Sequence, residues 1–489
     1  MDHNEHSQQK VVTRYAPSPT GFQHIGGIRT ALFAYLHARK NNGTFILRIE
    51  DTDKEREVSG AIEHTKEALK WIGINWDYGP DTATPFGSCI QSERLPIYKK
   101  YAELLIAKGL AYPDPYTTAE VAGFKETAIA EKRPFLIREH RPTSFDVWDG
   151  TKPLRLKVTD IKRYTWNDVT RGTLSAGEEM LDDVVLIKSD GYPTYTFAHI
   201  IDDLEMGVTH IMRADEFISS MPKFLSIYDA LEIPYPTFVT LPPILRDDRT
   251  KKLGKRDGAK DILDYRTDGY LPSAMMNFLA LTGWNPGTEQ EVFTPTELIE
   301  VFDISKIQRA GAAFNEEKLL WMNRQHLNRL TPAEFNTYLN PAIPDVLTNA
   351  PQYSSERLEK LLPTIRERIN TLAEFRAEVE VGEYDWAFTA PQYETSILQW
   401  KNDTDINQAR PRLEKALELL KNADFSSPET IKAALWPYAE EVGKGELLWP
   451  LRVCLSGRAQ SPDPFTLAYI IGQLETNARI TTACDKIGE

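Results

Sequence analysis

The chain has 489 residues, which suggests about three or more domains at roughly 150 residues each. Hydrophobic residues make up 41% and charged residues 26%, the balance of a globular protein with sizeable cores, and no apolar run approaches the ~20 residues that span a bilayer. The 57 basic and 71 acidic residues give a formal charge of −14, which argues weakly against nucleic acid as a partner but leaves room for a local basic surface.

The cysteines are too few and too scattered for a disulfide framework. Cys89, Cys454 and Cys484 form no Cys-x-x-Cys pair, which fits a reducing compartment. The first ten residues are polar and lack the apolar core of a secretory signal. We therefore expect a cytoplasmic protein without membrane contact.

The stretch RYAPSPTGFQHIGGIR, residues 14–29, has the pattern of a strand, a turn and a helix. An apolar run at 11–12 precedes it, prolines and glycine follow, and helical spacing begins after His24. The free N–H groups and dipole of a helix N-terminus favour an anion, and Gly26 and Gly27 would let a phosphate approach the backbone. The two glycines alone are equally compatible with an ordinary turn beside a surface histidine.

Later segments continue as alternating strands and helices and then become helical. Helices are predicted near 63–71 and 94–108, and prolines and charged residues crowd 111–166 like an insertion. Strands are predicted at 184–187, 195–197, 210–212 and 239–245, with a helix at 219–231. Further helices are predicted at 271–281, 357–375, 408–420 and 428–442.

A polar, basic loop follows the last predicted strand and contains KKLGKR, residues 251–256. Lys252 and Lys255 could follow the negative charge that builds on a departing pyrophosphate. Taken alone, the segment is more simply a solvated basic loop.

Together these segments resemble the class I aminoacyl-tRNA synthetases, in the form of bacterial-type glutamyl enzymes. The resemblance is carried by HIGG at 24–27, by FILRIEDTD at 45–53 and by KKLGKR at 251–256, in the family's order, and it extends over most of the chain. Two positions depart from the family pattern: Gly254 stands where a serine is usual and Asp257 where a histidine is frequent. Loss of these side chains could slow the loop's chemistry.

The resemblance implies an α/β Rossmann-type catalytic domain with an inserted α+β acceptor-binding region, followed by all-α stem-contact and anticodon-binding domains. On this sequence the catalytic halves are 10–110 and 181–258, and the acceptor-binding insertion is 111–180. The stem-contact domain is 259–325 and the helical anticodon-binding region is 326–489.

The resemblance also implies a glutamate–tRNA ligase that uses ATP with Mg²⁺. The residues carried over for ATP are His24, Gly26, Gly27, Glu216, Lys252, Leu253 and Lys255, of which His24, Lys252 and Lys255 would act on the reacting phosphates. Those carried over for L-glutamate are Arg14, Ala16, Ser18, Glu50, Tyr195, His199 and Arg213. His199 lies where some relatives have an asparagine. Arg14 and Arg213 are the two candidates for the substrate's side-chain carboxylate, which arginine can bind through two parallel hydrogen bonds. Without the family resemblance, either arginine is more simply part of a structural salt bridge.

The expected partners are tRNA(Glu) and, if the enzyme is non-discriminating, tRNA(Gln), with the chain acting as a monomer. Arg366 and Arg368 lie in the region for anticodon reading but could equally form a solvated, ion-paired face. No structural zinc is expected, because the run 111–116 lacks cysteine and His140 is a lone candidate ligand. A synthetase-like RNA-binding protein with impaired catalysis is the alternative from another class.

Overall fold

The computed structural model describes residues 10–254 and 260–488, which fall into two compact units. The first unit comprises the chain up to Thr267 together with Leu271–Met322, and the second comprises Asp268–Tyr270 and the chain from Asn323 onward. The candidate site lies in the first unit.

The strands, in chain order, are β1 (Val12–Tyr15), β2 (Thr44–Leu47), β3 (Ala111–Pro113), β4 (Leu154–Leu156), β5 (Tyr164–Asp168), β6 (Gly172–Ala176), β7 (Val185–Ile187), β8 (His210–Ala214), β9 (Thr237–Leu241), β10 (Ile244–Leu245) and β11 (Ala312–Ala313). The α-helices that begin before residue 323 are α1 (Ile25–Lys40), α2 (Ala61–Ile72), α3 (Leu95–Ala107), α4 (Thr118–Ala130), α5 (Tyr195–Glu205), α6 (Met221–Leu231), α7 (Ile262–Asp268), α8 (Pro272–Leu281), α9 (Pro295–Val301) and α10 (Glu316–Arg329).

Two parallel β–α–β units form the framework of the site. Strands β1 and β2 pair in parallel across α1, and β8 and β9 pair in parallel across α6. The two β–α–β units, both in the first compact unit, meet edge to edge. There Thr209 N donates to Val12 O (2.9 Å) and Val12 N donates to Thr209 Oγ1 (2.9 Å). The carboxyl ends of β1 and β8 therefore open side by side, which is where ligands bind in sheets of this kind.

The sheets cross the predicted boundary at residue 180. Strands β5 and β6, from the predicted insertion, continue the β8–β9 sheet in the order β6-β5-β9-β8, while β7 pairs antiparallel with β4 in a small sheet of order β3-β4-β7. Apolar side chains of α5 and α6, among them Phe197, Ile200 and Leu225, are buried in one core with residues of both sheets.

The strand predicted at 195–197 is wrong, because Tyr195 begins helix α5. Three apolar or β-branched residues fit either structure, and only the longer run shows the helical period. Phe197, Ile200 and Ile201 are all fully buried, which is one face of a helix at spacings of three and four.

Two long predicted elements are also divided. The strand predicted at 239–245 is interrupted at Pro242 and Pro243, which lack the N–H that a ladder needs. The helix predicted at 357–375 is two helices of the second unit, Ser355–Arg368 and Leu372–Glu380. The break arises because Ile369 is extended and the Thr371 side chain accepts from Glu374 N as a new N-cap.

From Asn323 to Gly488, the second unit contains helices and no strand. Beyond α10 its helices are α11 (Pro332–Leu339), α12 (Asp345–Thr348), α13 (Ser355–Arg368), α14 (Leu372–Glu380), α15 (Asp385–Phe388), α16 (Ala409–Leu420), α17 (Pro428–Val442), α18 (Lys444–Ser456), α19 (Pro464–Ile471) and α20 (Gln473–Gly488). Helix α16 packs on α20 and α17 packs on α19, with Leu413, Ala416 and Ile480 buried.

Two histidines share a buried position where α1 crosses the start of β8. The rings of His37 and His210 pack edge to face with centroids 4.6 Å apart. The pKa of His37 is lowered to about 4, first by burial and then by the neighbouring His210, with Asp303 opposing both effects. Burial also lowers the pKa of His210. Both rings are neutral in the folded protein near neutral pH.

This pair predicts a loss of stability on mild acidification. In the unfolded chain a histidine titrates near its ordinary pKa of 6.5. Below that pH the unfolded state therefore binds a proton while the folded state stays neutral, and the free energy of unfolding falls. We expect His37 alone to cost about 2 kcal/mol of unfolding free energy between about pH 7.5 and about pH 5. Urea unfolding of the wild type and of His37→Gln at the two pH values measures the effect. If the free energy of unfolding falls by the same amount in both proteins between the two pH values, the prediction is contradicted.

Candidate active site

A cavity of about 430 Å³ opens at the carboxyl ends of β1 and β8. Most of the residues predicted for the two substrates line it: Arg14, Ala16, Ser18, His24, Gly27, Glu50, Tyr195, Arg213 and Glu216. Gly26, His199, Lys252 and Leu253 are not among the lining residues, and Lys255 lies outside the described residues together with Asp257.

His24 caps the helix that follows the first loop. Its Nδ1 accepts from Gly26 N (3.1 Å), so in the neutral ring the proton is on Nε2. The next position has no room for a side chain, because a Cβ at Gly27 would lie 2.6 Å from Tyr15 Oη and 2.7 Å from Gln23 Oε1. At the start of α1 the chain therefore presents backbone and the His24 imidazole to the cavity.

Two residues of the lysine loop (residues 251–256) and one residue that follows it contact elements around the cavity. Leu253 N donates to Ile244 O (2.8 Å), and the exposed ammonium of Lys252 pairs with Glu216 at the cavity edge. After residues 255–259, Ile262 N donates to Gln23 O (3.1 Å). Lys252 and Leu253 are thus tied to Glu216 and to β10, and Ile262 is tied to the glycine-bearing loop that precedes α1.

The structure separates the two predicted carboxylate-binding arginines by their partners. Arg14 is buried and ion-paired, with Nε 3.0 Å from Asp203 Oδ1 and Nη2 3.4 Å from Oδ2. Arg48 Nη1 also donates to Asp203 (2.7 Å). Burial raises the pKa of Asp203, but the two guanidinium groups outweigh it and hold that pKa below its ordinary value. The charge of Arg14 is therefore largely balanced within the protein.

Arg213 has no such partner in the part of the chain that the structure describes. Its side chain is 8% exposed, and Nε and Nη1 are buried without a hydrogen-bond partner. The guanidinium lies over the rings of Phe224 (5.0 Å to the centroid) and Phe217 (5.7 Å). A buried cation with unmet donors at the wall of a cavity is suited to a carboxylate ligand.

Glu50 contributes a negatively charged carboxylate to the cavity wall. Its Oε1 accepts from Arg48 Nη2 (2.9 Å) and Nε (3.3 Å). Burial raises its pKa, although Arg48 and Arg14 oppose the shift. The backbone holds it in place, since Glu50 N donates to Pro17 O (3.0 Å) in the loop that carries Ala16 and Ser18. Such a group can receive hydrogen bonds from an ammonium ion.

Tyr195 and His199 occupy successive turns of α5. The half-exposed Tyr195 ring lines the cavity and stacks on His199 with centroids 4.8 Å apart. His199 is fully buried behind it, so its predicted contact with the substrate is not supported by the cavity lining.

Sequence reasoning missed the residues that balance the charges. Arg48 and Glu50 are two apart, and a strand places such residues on one face, but Arg48 was not singled out. Asp203 is one of two adjacent acids in α5, and only the fold brings it to Arg14 and Arg48. Phe217 and Phe224, which cover Arg213, carried no sequence signal.

In the second unit the two predicted arginines differ. Arg366 Nη2 donates to Leu327 O (2.8 Å) and its guanidinium lies 5.6 Å from the Phe335 ring centroid, so it supports the helix packing. Arg368 pairs with Glu383 (2.8 Å) and lines a crevice of about 900 Å³. Arg452 and Arg458 line the same crevice.

His140, the lone candidate zinc ligand, lies in an aromatic group. Its ring stacks on Phe124 with centroids 3.9 Å apart, and its carbonyl accepts from Tyr116 Oη. Within residues 10–254 and 260–488, no group of three or more His, Cys, Asp or Glu side chains is arranged to hold a metal ion. A search of the same residues finds no helix long and apolar enough to cross a membrane.

Comparison with known proteins gives this geometry a family. Residues 10–321 match the model for the catalytic domain of class I tRNA synthetases (E and Q), and residues 333–484 match an anticodon binding domain. The chain is 37% identical over 489 residues to a glutamate–tRNA ligase of Clostridium tetani, covering 98% of each, and 38% identical over 488 residues to one of Clostridium botulinum strain Hall, covering 98% and 99%.

Solved structures agree along nearly the whole chain. A glutamate–tRNA ligase from Elizabethkingia meningosepticum, in complex with its amino acid, superimposes with a TM-score of 0.85 at 32% identity, covering 97% of this chain and 99% of the other. The glutamate–tRNA synthetase of Elizabethkingia anophelis gives 0.82 at 33% identity, covering 97% and 100%. The chain therefore belongs to the glutamate–tRNA ligases, within the class I aminoacyl-tRNA synthetases.

Proposed function

We propose that this chain activates L-glutamate with ATP in the Arg213 cavity and transfers the product to the 3′ end of tRNA(Glu). The observation that carries the assignment to this cavity is Arg213 itself, a buried guanidinium with two unmet donors beside the glycine-bearing loop. A substrate with a second carboxylate satisfies those donors, whereas an apolar amino acid leaves them unpaired.

In the first step, an α-carboxylate oxygen of glutamate attacks the α-phosphorus of ATP. The bond from that phosphorus to the bridging oxygen breaks, and pyrophosphate leaves with the electron pair. The protein supplies position and charge rather than a nucleophile. The groups we assign to the phosphates are His24 Nε2, the α1 N-terminus at Gly26 and Gly27, and Lys252, with Leu253 holding the lysine segment on β10.

Lys252 must leave Glu216 before it reaches the triphosphate. The pair is half exposed, and exposed ion pairs contribute only about 0–1 kcal/mol, so a phosphate can displace Glu216 at little cost. Glu216 is then available at the cavity edge for the nucleotide. Lys255 is assigned to the same phosphates through the family motif. Mg²⁺ bound to the ATP oxygens would offset further negative charge.

We assign the glutamate side chain to Arg213 and the ammonium group to Glu50. Ala16 and Ser18, which follow β1, and the phenol of Tyr195 complete the walls. Arg14 acts at the same place mainly as the buried partner of Asp203, although its side chain also lines the cavity.

In the second step, the 2′-OH of the tRNA's terminal adenosine attacks the mixed anhydride and AMP leaves. For the anticodon we favour Arg368 over Arg366, since Arg368 lines an open crevice with two other arginines. Planar guanidinium groups stack on splayed bases and bind phosphates. We further infer that the protein is a cytoplasmic monomer. Charging of purified tRNA(Glu) and tRNA(Gln) side by side measures whether tRNA(Gln) is also a substrate.

Substitution Arg213→Lys tests the glutamate assignment. It keeps the charge but removes the planar donors, so we expect the KM for glutamate in ATP–pyrophosphate exchange to rise about 10–100-fold with little change in the KM for ATP. Arg163→Lys, at an exposed position in the same unit, is the matched control. Equal glutamate KM values in the two variants would remove Arg213 from the site.

Substitution Lys252→Ala tests the phosphate assignment. Loss of one donor to the developing charge is expected to slow adenylate formation about 10²–10³-fold, and the adjacent exposed Lys251→Ala should change it little. Rapid-quench measurement of the adenylate separates this step from transfer. An unchanged rate in Lys252→Ala would show that the lysine does not act on the reacting phosphates.

The contrast between Arg368→Ala and Arg366→Ala tests the anticodon assignment. We expect Arg368→Ala to weaken tRNA binding about tenfold and to reduce the slope of log K against log salt by up to about one if the contact is to a phosphate. Arg366→Ala should lower the melting temperature while leaving tRNA affinity nearly unchanged. Filter binding over a salt series is the measurement, and the reverse ranking would contradict the assignment.

A further inference from the structure

The feature that remains unexplained at the site is a buried acceptor with no donor. His199 is 0% exposed, and its Nε2 has no hydrogen-bond partner among residues 10–254 and 260–488. A buried polar atom without a partner has given up its hydrogen bonds to water and gained none in return, so such an atom calls for an explanation.

The hydrogen bond on the other side of the ring fixes its tautomer. His199 Nδ1 lies 2.7 Å from Tyr195 O, one turn earlier in α5. A carbonyl oxygen only accepts, so Nδ1 carries the proton and Nε2 carries a lone pair. The pKa of His199 is lowered to about 3, first by burial and then by the positive charge of Arg213, with Asp203 opposing both, so the ring stays neutral.

Arg213 holds the complementary groups close by. The His199 ring packs edge to face on Phe224 with centroids 4.7 Å apart, and the Arg213 guanidinium lies over that same ring at 5.0 Å. Arg213 Nε and Nη1 are donors without partners, and His199 Nε2 is an acceptor without one. Two unmet donors and one unmet acceptor thus share a single aromatic neighbour.

A glutamate carboxylate can satisfy the donors but not the acceptor, because it has no hydrogen to give. We propose that His199 is a positioning residue: when glutamate binds, His199 Nε2 accepts a hydrogen bond from the Arg213 guanidinium and fixes the plane in which the remaining donors meet the substrate carboxylate. This inference rests on the proposed assignment of glutamate to the Arg213 cavity.

The same contact gives the site a reason to reject glutamine. A carboxamide N–H could donate to a vacant Nε2, and that hydrogen bond would favour the binding of glutamine. With Nε2 occupied by Arg213, the carboxamide N–H₂ faces donors only and its hydrogens stay unpaired. Sites that leave such groups unpaired discriminate strongly between close analogues.

The experiment compares His199→Phe, which keeps a flat ring without an acceptor, with His199→Asn, whose Oδ1 restores an acceptor. We expect His199→Phe to raise the KM for glutamate about tenfold, with kcat and the KM for ATP within about twofold of wild type. The ratio of the Ki for glutamine to the KM for glutamate should fall. His199→Asn should recover most of both. A merely structural role would move the KM for ATP and the melting temperature as well.

A measurement on the wild-type protein does not depend on the variants folding. In ¹⁵N NMR, the resonance of the bare Nε2 should shift in the direction of hydrogen-bond acceptance when saturating glutamate is added, and the His199→Asn protein identifies that resonance. An unmoved resonance, or an unchanged glutamate KM in His199→Phe, overturns the inference. Absence of glutamate-dependent exchange in the wild type would instead count against the proposed function.

Discussion

The buried carboxylate of Asp203 sets the charge balance on which the rest of the site depends. It lies within hydrogen-bond distance of both Arg14 and Arg48, and Arg48 in turn holds Glu50. Separate burial of these charges would be costly, but together they form one network with few unmet groups. The network leaves Arg213 as a buried cation whose donors are unmet, and that is the property a dicarboxylic substrate needs.

The second constraint is the edge between two β–α–β units. Because β1 and β8 lie side by side, the loop that follows β1 and the residues at the end of β8 face one cavity. The backbone bond from Ile262 to Gln23 then holds the far side of the lysine loop against the glycine-bearing loop. Two motifs more than 200 residues apart in the sequence are brought together in this way, which is consistent with their acting on one triphosphate.

Neutral imidazoles recur at positions where a charge would be harmful. His199 lies behind Tyr195 and near Arg213, and His37 and His210 pack against each other. Burial lowers the pKa of all three histidines, and the neighbours Arg213 and His210 add to the shift at His199 and His37 respectively, so each ring acts as a polar packing element. Near Arg213 this neutrality matters most, because an imidazolium there would add a second cation beside the first.

The sequence by itself determined the family, the order of the two nucleotide motifs and nine residues of the cavity wall, because HIGG, RIEDTD and KKLGKR are local strings whose chemistry is readable from residue type and spacing. It also placed the helices with a clear period and clear stops, such as Pro428–Val442. It erred where a short apolar run fits two structures, as at Tyr195, and where a side-chain cap or paired prolines break a regular pattern. Only the tertiary structure decided that Arg14 is matched by Asp203 while Arg213 is not, that Arg366 supports a helix while Arg368 faces a crevice, and that His199 lies behind the cavity. The reason is physical: charge pairing and burial depend on atoms contributed by distant segments, and no local pattern records them.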